Sequence, residues 1–237
     1  MKTAYLASLI LIVLTVYVFR LVAILPFFHT QTDTEKNTRN EASVLRMHKP
    51  SKKPLKIFVF LGSGGHTGEM LRLLQNYNDL LLDKSTVYVG YSDQASKQKF
   101  ARLMKNFGHC KVQYYEFMKA REVKATLLQS VKSIIGTLVQ SFVHVIQIRF
   151  AMCGSPHLFL LNGPGTCCII SFWLKLIELI VLFLDSSHIV YVESLARINT
   201  PSLTGKILYW MVDEFIVQWQ ELRDNCLPRS KWFGILV

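Results

Sequence analysis

The chain of 237 residues is 51% hydrophobic and 18% charged, and its mean hydropathy of +0.27 is high for a soluble domain and indicates contact with a membrane. Lys and Arg outnumber Asp and Glu by 27 to 16, and the net charge of +11 favours an anionic partner, whether phospholipid, diphosphate or nucleic acid. The five cysteines have the spacing of neither a zinc site nor a disulfide framework, so we interpret them as reduced thiols.

The N-terminal segment, residues 1–28, predicts a single membrane-spanning anchor. No charged residue lies between Ala4 and Phe19, and the apolar run resumes after Arg20 and continues through Phe28. Its length of about 25 residues is sufficient for a bilayer core of about 30 Å. A cleaved signal peptide is the alternative, but no Ala-x-Ala-like site ends the stretch. Basic residues are more numerous after the span than before it, so the positive-inside rule places the body of the protein in the cytosol.

Residues 29–54 are predicted to form a polar linker, because Thr, Asn, Gln and charged residues replace nearly all apolar ones. The basic end of this region, residues 49–56, has two interpretations. It contacts anionic lipid headgroups, or it is a solvated entry to the first strand.

Beyond the linker, apolar strand-like segments alternate with helical patterns over residues 55–226. This alternation predicts an α/β fold, a single Rossmann-like domain with a parallel sheet and right-handed crossovers. Ligands of such sheets bind at the carboxyl ends of the strands, so we expect functional residues in the loops that follow them. The predicted strands are Leu55 to Leu61, Thr86 to Gly90, Lys111 to Glu116, His157 to Leu161, His188 to Val192 and Glu214 to Gln218.

Two helical patterns are unusually apolar. Residues 122–148 repeat apolar side chains at steps of three and four between basic flanks, which fits either a helix in the membrane interface or a long helix that covers the sheet. Residues 166–184 are almost continuously apolar, but Lys175 and Glu178 interrupt them on one helical face. We interpret this second segment as a buried helix rather than as a second membrane span.

The first strand leads into the glycine loop Gly62-Ser63-Gly64-Gly65-His66-Thr67 and then into a helical pattern. Free backbone N–H groups at such a turn predict a phosphate-binding site. No Gly-Lys-Ser/Thr follows, which excludes a Walker A loop, and Thr67 stands where a dinucleotide-binding loop has its third glycine. An NAD-type site with Asp93 as the ribose ligand is therefore an alternative. His66 is the candidate general base toward a sugar hydroxyl, or a donor to phosphate.

Two further strand ends carry polar residues. After the fourth predicted strand comes a second glycine loop, whose glycines permit close backbone approach and whose threonine can cap the next helix: Asn162, Gly163, Pro164, Gly165 and Thr166. Glu193 and Arg197 follow the fifth strand. In one interpretation Glu193 accepts hydrogen bonds from sugar hydroxyls while Arg197 holds an anion. In the other, the two form an ordinary helical ion pair.

Taken together, these motifs resemble those of the membrane-anchoring subunits of dolichol-pathway UDP-N-acetylglucosamine transferases, fungal members in particular. The similarity covers nearly the whole chain and rests on the anchor, Phe60 to Glu69, Asn162 to Thr166, Val192 to Ser194, Asp213 to Phe215 and Trp219. That family is similar in turn to the N-terminal half of the bacterial peptidoglycan lipid-intermediate glycosyltransferase, whose glycine loop also reads Gly-Gly-His.

The resemblance implies the N-terminal half of a GT-B glycosyltransferase that is divided between two polypeptides. This chain would supply the acceptor domain at the cytosolic face of the endoplasmic reticulum, and a soluble catalytic subunit would bind most of the donor UDP-GlcNAc. Together they would add the second N-acetylglucosamine to GlcNAc-diphosphate-dolichol in N-glycan precursor synthesis. Neither a tightly bound cofactor nor a nucleic-acid partner is expected. No Asp-x-Asp motif occurs, and the role of a divalent metal is left open.

The same resemblance implies roles for individual residues. His66 would lie close to the acceptor as the candidate base, and Glu193 is a second catalytic candidate. The predicted contacts to the acceptor diphosphate are Gly62, Ser63, Gly64, Gly65, Thr67, Asn162, Gly163, Gly165, Thr166 and Arg197.

Residues 227–237 form an apolar tail without a predicted strand–helix unit of its own. The resemblance suggests that this tail docks the catalytic partner through exposed side chains of Trp232, Phe233, Ile235, Leu236 and Val237. A tail folded back on its own domain is the alternative. With no second domain expected, the chain is predicted to be inactive alone. The competing hypotheses are a self-sufficient membrane-bound transferase or nucleotide-binding enzyme, and a basic protein that binds anionic lipid or nucleic acid nonspecifically.

Overall fold

The computed structural model of the chain describes residues 2–26, 53–105, 107, 110–118 and 127–237. The predicted linker therefore lies outside the described residues except at its last two positions, as do residues 122–126 of the predicted long helix. The strands are β1 (Lys56–Leu61), β2 (Thr86–Tyr91), β3 (Lys111–Glu116), β4 (His157–Asn162), β5 (His188–Val192), β6 (Glu214–Val217) and β7 (Lys231–Trp232). The helices are α1 (Lys2–Ile24), α2 (Gly65–Asn76), α3 (Asn78–Leu81), α4 (Gln94–Met104), α5 (Leu127–Met152), α6 (Thr166–Ile180), α7 (Leu203–Leu208) and α8 (Gln220–Cys226).

The strands form one parallel sheet in the order β3-β2-β1-β4-β5-β6-β7. Phe58 of β1 is opposite Tyr88 of β2 on one side and Phe159 of β4 on the other. The strand order reverses direction between β1 and β4, and in doubly wound sheets the ligand crevice opens at the carboxyl ends of such a pair. The predicted Rossmann-like α/β fold is confirmed, and the six predicted strands match β1 to β6 to within one residue at each end.

Successive residues of the central strands are all buried because helices cover the sheet on both faces. In β1, Phe58 and Phe60 belong to the core cluster beneath α5, α6 and α7, whereas Ile57, Val59 and Leu61 belong to the cluster beneath α2 and α4. Continuous apolar runs of this kind are typical of parallel sheets that have helices on both sides.

The helix α6 is buried, as the sequence predicts, and its two charged residues find partners inside the protein. Glu178 accepts from Arg149 Nε at 2.7 Å, with both side chains at most 1% exposed. Lys175 Nζ lies 3.4 Å from Asp213 Oδ2. The charges that interrupt this apolar segment are thus compatible with burial because each is paired.

The anchor helix α1 exposes its apolar side chains and docks on the domain near its end. Tyr5–Ile24 is long and apolar enough to cross a membrane, with a mean hydropathy of 2.5. Arg20 Nε donates to the carbonyl of Glu178 at 3.1 Å, and Arg20 Nη2 donates to the carbonyl of Leu184. The one charge in the apolar stretch therefore binds α1 to the end of α6.

The long helix α5 shares features of both interpretations offered for it. Val145 and Ile148 are buried against the sheet, while Ile135 and Val139 are 57% and 68% exposed. Its segment Ile135–Met152 also passes the length and composition test for a membrane span, at a lower mean hydropathy of 1.3.

The tail contributes a short strand that was not among the six predicted ones. Lys231 and Trp232 pair with β6 as β7, which at two residues is too short for periodicity to reveal. Leu236 is only 8% exposed, and its backbone donates to Gln218 Oε1 and accepts from Asn76 Nδ2. The predicted exposure of Leu236 is therefore wrong, because the tail folds back against α2. Trp232, Phe233 and Ile235 remain exposed at 38%, 57% and 57%.

Candidate functional site

The glycine loops after β1 and β4 interlock at the point where the strand order reverses. A β-carbon on Gly62 would lie 2.8 Å from Pro164 Cδ. One on Gly163, whose φ is +96°, would lie 2.6 Å from His66 Nδ1. Only glycine permits so close an approach, and at Gly163 also the backbone conformation. The expected convergence of the two loops at one sheet edge is confirmed, and the imidazole of His66 lies against the second loop.

The helices that leave these two loops begin without a side-chain cap. Gly64, at φ +63°, precedes α2, and Gly165 precedes α6. By contrast, Asp93 and Ser202 cap α4 and α7 with their side chains. Both helix starts therefore lack a side-chain cap, and both helix dipoles direct positive potential toward the crevice, although the N–H groups of Cys167 and Cys168 in α6 donate to the carbonyls of Pro164 and Gly165. Ser63, Gly64 and Gly65 are exposed there.

Thr67 of the first loop and Asp93 after β2 both have internal roles. The Thr67 hydroxyl is buried, donates to the carbonyl of Gly62 and lies 2.7 Å from Ser96 Oγ. Any contact from Thr67 to a ligand would thus come from its backbone. Asp93 accepts from the backbone of Ser96 at 2.8 Å as the cap of α4. The structure gives Asp93 this capping role, which accounts for it without a ribose ligand.

The residue that joins the site is Glu69, which the sequence analysis quoted in a motif but did not select. Its Oε2 accepts from Asn162 Nδ2 at 2.9 Å, and its Oε1 accepts from Ser194 Oγ at 2.8 Å and from the backbone of Leu195 at 3.2 Å. Glu69 on α2 therefore ties together the segments that follow β1, β4 and β5. Its position three residues after His66, on the same face of a helix, is the signal that could have identified it.

Glu69 is held as a carboxylate. Burial by itself would raise the pKa of Glu69, but the interactions with His66, Asn162 and Ser194 outweigh it, and the pKa lies below its ordinary value. At neutral pH the group is therefore an acceptor with a full negative charge.

The side chain of His66 presents one nitrogen to the interior and leaves the rest of the ring partly open. It is 35% exposed, yet Nδ1 is buried, lies 3.8 Å from Glu69 Oε2 and makes no hydrogen bond. Asn162 Oδ1, on the facing loop, is likewise buried without a partner. Two polar atoms in this crevice are thus available for hydrogen bonds, which is unusual for buried groups and typical of functional sites.

Glu193 and Arg197 are placed differently from one another. Glu193 is 1% exposed, and Oε2 accepts from both the backbone and the hydroxyl of Ser202. This geometry holds the segment that leads to α7, and a catalytic role for Glu193 stays a prediction. Arg197 is exposed in a nonhelical segment. Among the ion pairs of the described residues none joins it to Glu193, so the helical pair proposed as an alternative is wrong.

A metal site has no counterpart in the part of the chain that the structure describes. No group of three or more His, Cys, Asp or Glu side chains there is arranged to hold a metal ion. The described residues of the crevice present backbone N–H groups, glycines, the imidazole of His66, the carboxylate of Glu69 and the amide of Asn162.

Comparison with known proteins identifies the family. Residues 57–236 match the family model described as "Oligosaccharide biosynthesis protein Alg14 like". The chain is 81% identical to the "UDP-N-acetylglucosamine transferase subunit ALG14" of Saccharomyces cerevisiae over 237 residues, the full length of both. It is 46% identical to the protein of the same name from Candida glabrata, over 100% of this chain and 99% of the relative.

The matches among solved structures have low identity and low TM-scores. MurG from Acinetobacter baumannii is 11% identical, with a TM-score of 0.44, and the match covers 69% of this chain and 41% of MurG. The sequence relatives, which match over their whole length, carry the assignment. The chain belongs to the Alg14 family of oligosaccharide biosynthesis proteins.

Proposed function

We propose that this chain is the membrane-anchored, acceptor-binding subunit of a UDP-N-acetylglucosamine transferase. It holds GlcNAc-diphosphate-dolichol at the cytosolic face of the endoplasmic reticulum, where a soluble catalytic subunit that binds UDP-GlcNAc adds the second sugar. Family membership supports the transferase-subunit part of this proposal, since the relatives are named as subunits of such an enzyme. The remaining parts rest on the site and on the apolar surfaces.

The observation that carries the proposal is the pair of uncapped helix starts at one crevice. The starts of α2 and α6, behind Gly64 and Gly165, carry no side-chain cap, and both helix dipoles direct positive potential toward an anion bound there, as in other phosphate-binding turns. His66 lies between them, against Gly163. A diphosphate at the helix starts would bring the attached sugar near the imidazole, which could accept a proton from its hydroxyl.

The apolar surfaces support a lipid-linked acceptor. The exposed face of α5 and of the segment after α6 is contiguous, because the rings of Phe150 and Phe183 are 6.3 Å apart. Phe183 is 73% exposed and precedes Leu184, to which the anchor residue Arg20 is bonded. This apolar face thus begins where α1 meets the domain, and we propose that it lies in the membrane interface. The acceptor crevice would then stay close to the bilayer that carries the lipid.

The docking surface for the catalytic subunit is proposed on the exposed part of the tail. Trp232, Phe233 and Ile235 present apolar side chains beside the edge strand β7. Aromatic and aliphatic side chains contribute most to binding when a partner covers them. No cofactor is assigned to this chain, and the donor nucleotide is assigned mainly to the partner.

The test is transfer of labelled N-acetylglucosamine from UDP-GlcNAc to a GlcNAc-diphosphate-lipid, by membranes that contain this chain with and without a cytosolic extract. We expect activity only with the extract, and a loss of about 100-fold or more in His66→Ala. His188→Ala, an exposed histidine at the start of β5, is the matched control and should retain activity. Full activity of the purified chain alone would favour the self-sufficient transferase instead.

A further inference from the structure

We infer that Glu69 is the positioning residue for His66: its carboxylate accepts a hydrogen bond from Nδ1–H of the imidazole, so that Nε2 faces the acceptor hydroxyl with a free lone pair. This inference rests on the proposed role of His66 as the base. The other contacts of Glu69 would by themselves suggest a purely structural role for this side chain.

The hydrogen-bond count of Glu69 leaves one position open, and it is on the correct oxygen. A carboxylate has about four lone-pair sites. Oε1 receives two donors, Ser194 Oγ and the backbone of Leu195, whereas Oε2 receives only Asn162 Nδ2. Oε2 is also the atom that lies 3.8 Å from His66 Nδ1. The vacant acceptor and the unpartnered buried nitrogen therefore face each other.

The same three donors fix where the carboxylate stands. They come from Asn162 at the end of β4 and from the segment after β5, so Glu69 cannot rotate away without losing contacts to two loops. On its other side, the imidazole is confined by Gly163. A shift of about 1 Å in the ring would convert the 3.8 Å separation into a hydrogen bond, and catalytic hydrogen bonds are commonly long before substrate binds.

The arrangement gives a complete proton path. Nε2 of His66 accepts the proton of the acceptor hydroxyl while the hydroxyl oxygen forms the bond to the anomeric carbon of the donor sugar. The bond from that carbon to the diphosphate oxygen of UDP breaks, and its electron pair leaves with UDP. The imidazolium that results is stabilised by the adjacent carboxylate of Glu69, which remains ionised.

The pH dependence of kcat distinguishes the two roles of Glu69, because a purely structural role would leave it unchanged. In the part of the chain that the structure describes, the ion-pair contact of His66 is with Glu69, and the loop that approaches its ring does so at the neutral Gly163. Removal of the negative charge makes the imidazolium easier to deprotonate. In Glu69→Gln the acid limb of kcat against pH should therefore move to lower pH, with kcat lowered by about 10- to 100-fold and acceptor KM changed by less than about 3-fold.

The experiment uses full-length chain in membranes with its catalytic partner, UDP-GlcNAc and a synthetic GlcNAc-diphosphate-lipid. Asp79→Asn, an exposed carboxylate on α3, is the control for the change of charge. Ser194→Ala removes one support of Glu69 while leaving His66 and Glu69 in place, and it should keep the acid limb of the wild type. Glu69→Asp retains the charge but withdraws it from Nδ1, so its limb should shift in the same direction by less.

The outcomes separate this inference from the proposed function. If His66→Ala is inactive but the acid limb of Glu69→Gln and Glu69→Asp stays in place, Glu69 does not position the base and the proposed function survives. If His66→Ala is nearly as active as the wild type, His66 is not the base and this inference is overturned with it, whereas the subunit role is overturned only by full activity of the purified chain alone. Should Glu69→Gln fail to fold, Glu69→Asp alone carries the comparison, and an unshifted limb there contradicts the inference.

Discussion

The imidazole of His66 occupies the space in which any side chain at position 163 would begin. A β-carbon on Gly163 would stand 2.6 Å from His66 Nδ1, and the φ of +96° at this residue is itself unfavourable for other residues. Gly163→Ala should therefore lower the free energy of unfolding by about 1–3 kcal/mol and displace the imidazole. Thermal denaturation and the transfer assay measure the two effects, and we expect activity to fall further than the stability loss explains.

Gly154 is a matched control for Gly163. It also has a positive φ, of +65°, but a β-carbon there meets nothing within 4 Å. Gly154→Ala should have a stability cost of about 1–2 kcal/mol from the backbone conformation alone and retain activity. Equal loss of activity in the two variants would show that backbone strain, and not the contact with His66, is responsible.

Partner docking should depend on part of the tail and folding on another part. Phe233 and Ile235 are 57% exposed, so the double change to Ser should abolish co-purification with the catalytic subunit without changing the thermal stability of the chain. Leu236 is 8% exposed in the core, and Leu236→Ala should lower the free energy of unfolding by about 2–5 kcal/mol. Retained co-purification of the Phe233 and Ile235 variant would contradict the docking surface.

Membrane attachment should have two components. Without residues 2–26 the domain should leave the integral membrane fraction yet still float with anionic vesicles, because the exposed face of α5 remains. Adding Val139→Asp and Val143→Asp, at positions 68% and 48% exposed, should then abolish flotation. Arg102→Asp, outside this face on α4, is a control for the loss of positive charge. Flotation that survives the two valine changes would rule out the α5 face.

The pH dependence of stability should report the network around Glu69. Since its pKa in the folded protein lies below the ordinary value of 4.5, its stabilising contribution is present above that value and is lost as the pH falls through the folded-state pKa. The wild type should be more stable than Glu69→Gln at neutral pH, and the difference should shrink in acid. Chemical denaturation at several pH values tests this. A difference that is independent of pH would mean that the carboxylate charge contributes nothing.

Several features followed from local patterns in the sequence. The strands β1 to β6 were predictable because their apolar runs are long enough to form the core of a parallel sheet, and the two glycine loops were predictable because turns of this kind require glycine. The crevice was located by one topological rule, that parallel strands end at a common edge.

The tertiary structure decided which side chains complete the site. Glu69 lies at the centre of the site because Asn162 and Ser194, which are distant in sequence, donate hydrogen bonds to it. Glu193 instead accepts a hydrogen bond from Ser202, the N-cap of α7. Leu236 was likewise taken into the core by its contact with α2. The sequence by itself determined the N-terminal apolar helix, the sheet and the glycine turns, because these depend on the properties of contiguous residues. The hydrogen-bond partners of a side chain and its burial depend on segments that are distant in sequence, so only the tertiary structure determines them.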